Sequence, residues 1–323
     1  MKYITSILFL LFFAGATAQH TSLENRLYYQ QVDSVELYGA GHYQIKLSVI
    51  KFSHLLTADE MKKTAQKFAY QNHFSDSIPK VNPRVKEPHY YVGYHEETYK
   101  DYWNNTMCYL FYDIKDSKEH NVNILAIIHS VASAKSDDID VEMLSAIIDH
   151  KNKEKLKKNT LGGREFDFLG RKITLDDECY WTGLGIVRCP NLGQMNWSLH
   201  TTLADAQASI NQQAKLGEYA VNKKPINEEN TTYKRIGERD IELIFEGKRT
   251  KAHEITFNMH YQHPILKSLT KDKKLIVYYI ATTVRGYHIA CVLSYWDDNP
   301  KLPNTQLPAF ISEFIRLKKN DIQ

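Results

Sequence analysis

This 323-residue sequence is extreme in nothing, and each missing extreme removes a class of protein. Charge of one sign is lacking: 41 Lys and Arg against 38 Asp and Glu leave a net charge of +3. So weak a field gives no reason to make nucleic acid the main partner. Proline (9) and glycine (14) are scarce, which excludes fibrous and low-complexity chains. With 43% hydrophobic and 12% aromatic residues, the chain can bury a core and is not a disordered one. G-x-S-x-G, P-loop, H-E-x-x-H and G-x-G-x-x-G patterns are all missing, so no common catalytic or nucleotide signature marks an active site. No apolar run approaches the ~20 residues that span a bilayer.

The first segment is the most informative. Lys2 supplies a positive start, Ile7 to Ala14 form an uninterrupted apolar core, and Ala16-Thr17-Ala18 gives the small-x-small pattern of a signal-peptidase site. Residues 1–18 are therefore expected to be a signal peptide cleaved after Ala18. The mature chain would be secreted or periplasmic, with no transmembrane span.

Export changes the reading of the four cysteines, which can pair outside a reducing cytosol. The segment Cys179-Tyr-Trp-Thr-Gly-Leu-Gly-Ile-Val-Arg-Cys189 is symmetric about Leu184. A hairpin with Gly183-Leu184-Gly185 as its loop sets Cys179 opposite Cys189, Tyr180 opposite Arg188 and Trp181 opposite Val187. Opposed strand residues are close enough to bridge; the alternative is two buried thiols. Cys108 and Cys291 lie in apolar, strand-like runs and read as buried thiols.

Four segments carry helix signals. Thr57-Ala-Asp-Glu60 is a capping box flanked by the staple pair Leu56 and Met61. A second helix is expected over about Asp138 to Leu156, a third from Thr202 to Gly217, and a last one running from Pro308 through Leu317. His42 to Val49 and Ala252 to Tyr261 alternate as strands, and Lys274 to Trp296 reads as a hairpin about Arg285-Gly286. Spacing also repeats. Tyr109–Tyr112 aligns with Ile276–Tyr279, and Met143, Leu144, Ile147 and Ile148 align at the same offset with Phe310, Ile311, Phe314 and Ile315. Ile124–Ile128 aligns with Ile289–Leu293 at an offset two residues shorter. The fold class expected is α+β in two similar modules, each an antiparallel sheet flanked by amphipathic helices. Their bounds are 19–155 and 156–323, joined near Lys151 to Gly163.

The order of the second half is an opening hairpin (Cys179 to Cys189), a strand (Met195 to His200), a helix from Thr202, several antiparallel strands and a closing amphipathic helix. Over about 165–320 this order resembles the PsbP-like fold, an α/β/α sandwich. The resemblance implies a sheet flanked by helices and a history of binding and assembly roles. It supplies no catalytic residues.

Candidate sites are few. His253, His260 and His263 surround a strand, but 260 points away from the other two, so no metal site is expected. Asp176-Asp177-Glu178 is read as a solvated turn. The densest aromatic stretch is Pro88 to Trp103, placed in a long connection of the first half. There Tyr90, Tyr91, Tyr94, Tyr102 and Trp103 either pack the connection on the sheet or line a surface for a protein, peptide or glycan. The function expected is an exported, non-catalytic binding or assembly protein of the bacterial cell envelope, without cofactor or metal. A secreted hydrolase assembled from dispersed His, Asp and Glu residues is the alternative.

Overall fold

A computed structural model describes residues 26–41, 43–99, 102–116, 120–132, 137–148, 153–157, 159–222, 231–261 and 273–318. The segment read as a leader lies outside them. The first sheet contains β1 (Tyr28–Val32), β2 (Val35–Ala40), β3 (Tyr43–Ile50), β4 (Asp76–Lys80), β5 (His89–Tyr99), β6 (Tyr102–Asp116), β7 (His120–Ala132) and β8 (Asn159–Thr160). Their spatial order is β4-β5-β6-β7-β3-β2-β1-β8. A two-stranded hairpin, β9 (Glu165–Phe168) and β10 (Arg171–Thr174), follows.

The second large sheet contains β11 (Tyr180–Gly183), β12 (Ile186–Cys189), β13 (Gly193–His200), β14 (Thr231–Phe245), β15 (Lys248–Tyr261), β16 (Lys273–Val284), β17 (Tyr287–Trp296) and β18 (Ile315–Leu317). Its order is β11-β12-β13-β17-β16-β15-β14-β18. The helices are α1 (Ala58–Gln71), α2 (Asp137–Ile148), α3 (Lys153–Leu156), α4 (Leu203–Asn222) and α5 (Ala309–Ser312).

Strand makes up 55% of the described structure, so the expected α+β class with flanking amphipathic helices is corrected: the protein is mostly β, built on two large antiparallel sheets. Several segments expected to be loop or helix are strand. Within Pro88 to Trp103, read as a connection, His89–Tyr99 is β5 and β6 begins at Tyr102. Tyr90 and Tyr91 pack on opposite faces of the sheet, and so aromatic a stretch suits a strand better than a loop. The last helix ends at Ser312, and Ile315–Leu317 leaves it to pair with Leu243–Phe245. Helix α4 runs past Gly217 to Asn222.

Seven strands of each large sheet are arranged in the same way. Three antiparallel strands are followed by a helix and four more, and the last strand inserts beside the third. Tyr109–Tyr112 falls in β6 and Ile276–Tyr279 in β16, which hold equivalent places in the two orders.

Helix α1 begins as its capping box requires. The Thr57 hydroxyl accepts from the Glu60 N–H, and the Glu60 carboxylate accepts from the Thr57 N–H at 2.8 Å. The Thr57 N–H first, then the Thr57 hydroxyl and the His54 ring, bond that carboxylate and hold the Glu60 carboxyl down at about 2. Leu56, Met61 and Ala65 are buried together with Val92, Cys108 and Leu110 on one face of the first sheet. Tyr109, Phe111, Ile124 and Ile128 face the other way, toward Met143, Leu144 and Ile147 of α2. In the second sheet, α4 covers Ile255, Phe257 and Val277 with Ala206 and Ile210. The opposite face buries Leu243, Ile280, Cys291 and Leu293 beneath the β9–β10 hairpin and α5. Tyr28 of β1 reaches that cluster, its ring edge-on to Trp197 with centroids 5.8 Å apart.

Candidate functional site

The cysteine hairpin is the fixed point of the site. Tyr180 faces Arg188 and Trp181 faces Val187, and a Cys179–Cys189 disulfide closes the pair with Cα atoms 4.1 Å apart. The turn is tighter than the three-residue loop expected. Gly183 pairs with Ile186 about Leu184-Gly185, and an irregularity between Trp181 and Gly183 absorbs the register. Gly185 has φ +69°, and a Cβ there would lie 2.5 Å from the Trp197 carbonyl oxygen. Only glycine fits both the left-handed backbone and that approach.

Beyond Cys189 the chain turns through Pro190-Asn191-Leu192 into β13. That turn lies beside the start of β16 and the end of β17, because Gln194 pairs with Ser294 and Leu275 with Trp296. A cleft of about 540 Å³ opens there, and Arg188, Asn191, Gln194, Tyr233, Lys273 and Trp296 are among its walls. The volume falls within the roughly 300–1,000 Å³ of small-molecule sites. The rings of Tyr233 and Trp296 stack, with centroids 6.2 Å and planes 27° apart.

The floor is braced from behind. The Trp296 N–H donates to Asn299 Oδ1 at 2.9 Å, and the Asn299 N–H donates back to the Trp296 carbonyl at 3.0 Å. Lys273 pairs with Asp298 at 2.6 Å. An aromatic wall beside side-chain amides and mixed charges can grip a ligand by stacking and by directional hydrogen bonds. Its described walls include no histidine, and Cys189 is held in the disulfide.

A second cleft, of about 390 Å³, lies on the opposite face of the same strands, with Tyr295 shared between the two. Arg239 grips Glu254 through two hydrogen bonds, Nε to Oε1 at 2.8 Å and Nη2 to Oε2 at 3.1 Å. Beside them the hydroxyls of Tyr278 and Tyr295 are 3.5 Å apart. Burial raises both phenols above their ordinary range, so they stay neutral and can donate hydrogen bonds. A third cleft, about 590 Å³, surrounds Arg171, Glu246 and Arg285, whose ion pairs join three turns.

The aromatic residues singled out in the sequence do not share one surface. Tyr90 stacks on Tyr112 (6.0 Å) on the face covered by α1. Tyr91 stacks on Tyr109 (5.1 Å) on the other face. Tyr94 donates to the Glu96 carboxylate. Tyr102 and Trp103 stand opposite Tyr99 and Glu97 in the hairpin register, and their side chains lie outside the described residues. His253 sits between Asp240 (2.9 Å) and Glu238 (3.2 Å); His260 and His263 lie outside the described side chains. Among the described residues no group of three or more His, Cys, Asp or Glu is placed to hold a metal. Asp177 of the acidic turn pairs with Arg164. Cys108 and Cys291 are buried free thiols, pushed up by that burial.

Sequence reasoning missed Asn191, Gln194, Tyr233 and Trp296. The available signals were the Pro-Asn turn after Cys189 and the Asp-Asp-Asn-Pro turn after Trp296. Nothing in one sequence joins strands so far apart along the chain. No protein-family model, curated protein or solved structure matches this chain.

Proposed function

We propose that the protein is an exported, non-catalytic binding protein of the bacterial cell envelope whose ligand enters the cleft between the disulfide hairpin, Tyr233 and Trp296. The observation that carries this reading is the stacked Tyr233–Trp296 wall set among Asn191, Gln194, Arg188 and Lys273. A ligand with one flat apolar face and a polar rim, as a sugar ring has, matches that wall. Export draws its support from the leader-like first segment and from the disulfide, a bond typical of oxidising compartments. The hydrolase alternative gains nothing from the three clefts, whose described walls hold no histidine.

The test is calorimetric titration of the protein with N-acetylhexosamine oligomers. Binding is expected, with a Kd raised about tenfold or more in Trp296→Ala, the cost of losing one good aromatic contact. Tyr180→Ala, at an exposed position in the hairpin, should bind like the parent. No heat from any oligomer, or equal affinity in both variants, would remove the glycan reading of the cleft.

A further inference from the structure

Charge in the Tyr233–Trp296 cleft is carried by three side chains of its described walls, Arg188, Lys273 and Asp298. Lys273 and Asp298 face each other at 2.6 Å and cancel. Arg188 is exposed and, among the described residues, makes no ion pair or side-chain hydrogen bond. The acidic turn Asp176-Asp177-Glu178 precedes β11 and is not among the walls. Asp177 is taken by Arg164, while Asp176 and Glu178 have no cationic partner among the described residues. Those two carboxylates offset the long-range pull of the guanidinium. What Arg188 offers is a set of unused donors, and recognition by them acts at hydrogen-bond range.

Strand pairing puts a second open donor beside it. Arg188 is opposed to Gln194 and Gln194 to Ser294, so the three form one row on one face of β12, β13 and β17. Gln194 is half-buried, and its amide also has no hydrogen-bond partner among the described residues. Directly opposed side chains start about 5 Å apart, so guanidinium and amide can close on one carboxylate. Trp296 stands two residues beyond Ser294, on the same face of β17. Arg188 is two strand spacings, about 10 Å, from the strand that bears Trp296. Neighbouring rings of an oligosaccharide span such a distance. A ring on the aromatic wall therefore sets a substituent of the next ring before Arg188.

We propose that the cleft selects an acidic oligosaccharide, a carboxylate on one sugar held by Arg188 and Gln194 while the next ring stacks on the Tyr233–Trp296 wall. The inference rests on the reading of this cleft as a glycan site and adds the charge of the ligand. A planar guanidinium fits a carboxylate with two parallel hydrogen bonds, and the amide adds a third. A neutral sugar at the same place leaves both donors to water and gains nothing from them.

The probes are N-acetylhexosamine tetramers in three forms: unsubstituted, with lactyl-ether carboxylates on alternate residues, and the methyl ester of that acid. Calorimetric titration at low and high salt compares them. The acid is expected to bind about tenfold or more tightly than its ester, the worth of a charge-assisted hydrogen bond. High salt should narrow that gap. Arg188→Gln should bring acid and ester together. Arg188→Lys, which keeps the charge but not the planar fork, should restore part of the difference. The side chain is exposed, so both variants retain the fold. Trp296→Ala should weaken all three forms, which separates the stacking wall from the acid site. Equal binding of acid and ester by the parent, or a preference that survives in Arg188→Gln, overturns the proposal while the binding itself upholds the glycan reading. No heat from any form overturns both.

Discussion

Arg171 and Glu246, from hairpins far apart in the chain, meet in a two-pronged ion pair. Nε donates to Oε2 at 3.1 Å and Nη2 to Oε1 at 2.6 Å. The Glu246 side chain is 1% exposed, and Arg285 reaches it from the β16–β17 turn at 2.7 Å. Arg171 also donates to the Glu313 carbonyl and lies over the Phe314 ring. One buried carboxylate thus fastens the β9–β10 hairpin, two strand turns and the end of α5 over the core of the second sheet.

Removing that carboxylate takes the buried partner from two guanidiniums that are 30% and 38% exposed, with Arg171 keeping Glu313 at 3.3 Å. Breaking a buried pair by deleting one partner typically costs about 3–5 kcal/mol. Glu246→Ala should therefore lower the unfolding free energy by about 3 kcal/mol, measured by urea denaturation. A loss under about 1 kcal/mol would mean that the cluster is solvated and the hairpin held by its apolar contacts alone.

The disulfide spans a sequence separation of 10, a short loop. Chain-entropy reasoning gives such a bridge about 2–3 kcal/mol. Cys179→Ser/Cys189→Ser should lower the denaturation midpoint accordingly. It should also weaken ligand capture in the neighbouring cleft, since Cys189 forms part of its wall. Unchanged stability in the double variant would show that Trp181, packed on Trp197 at 5.8 Å, holds the hairpin unaided.

What was legible in the sequence was local. The capping box at Thr57, the opposed residues of the cysteine hairpin and the turn at Arg285-Gly286 depend on neighbours a few residues apart, and the structure contains each of them. The fold class was misread because long strands such as Thr231–Phe245 mix charged residues with bulges and hide their alternation. The end of the chain was misread because Phe310, Ile311, Phe314 and Ile315 are all buried, as a helix stripe would be. That burial is instead divided between a short helix and a strand. The clefts were invisible for another reason: their walls come from three or more strands, and only pairing brings them together.

The aromatic strand β5 separates packing from surface roles residue by residue. Tyr91 stacks on the buried Tyr109 and belongs to the inner cluster, so Tyr91→Ala should cost about 2 kcal/mol or more. Tyr94 reaches out to Glu96 instead, and Tyr94→Ala should change stability by less than about 0.5 kcal/mol. Thermal melts of the two variants check the contrast. Equal losses would show that both tyrosines belong to the core.

Acid should weaken the first sheet through His89. The ring is buried, its Nε2 accepts the Asn82 N–H at 3.0 Å, and its Nδ1 lies 2.7 Å from the Glu87 carbonyl oxygen. A backbone N–H can only donate, so Nε2 carries no proton, and Nδ1–H donates to the carbonyl. That arrangement requires the neutral imidazole. Burial lowers the His89 pKa below its ordinary 6.5, the nearby Glu87 carbonyl opposing only in part. The folded chain therefore holds this proton more weakly than the unfolded chain does. Its contribution to stability is complete above about pH 6.5 and is lost as pH falls below that value toward the folded-state pKa. Burial acts in the same direction on His129. The parent protein should unfold at lower urea at pH 5.5 than at pH 7.5, and His89→Gln should start lower but lose less between the two. An equal pH dependence in parent and variant would place the acid sensitivity elsewhere.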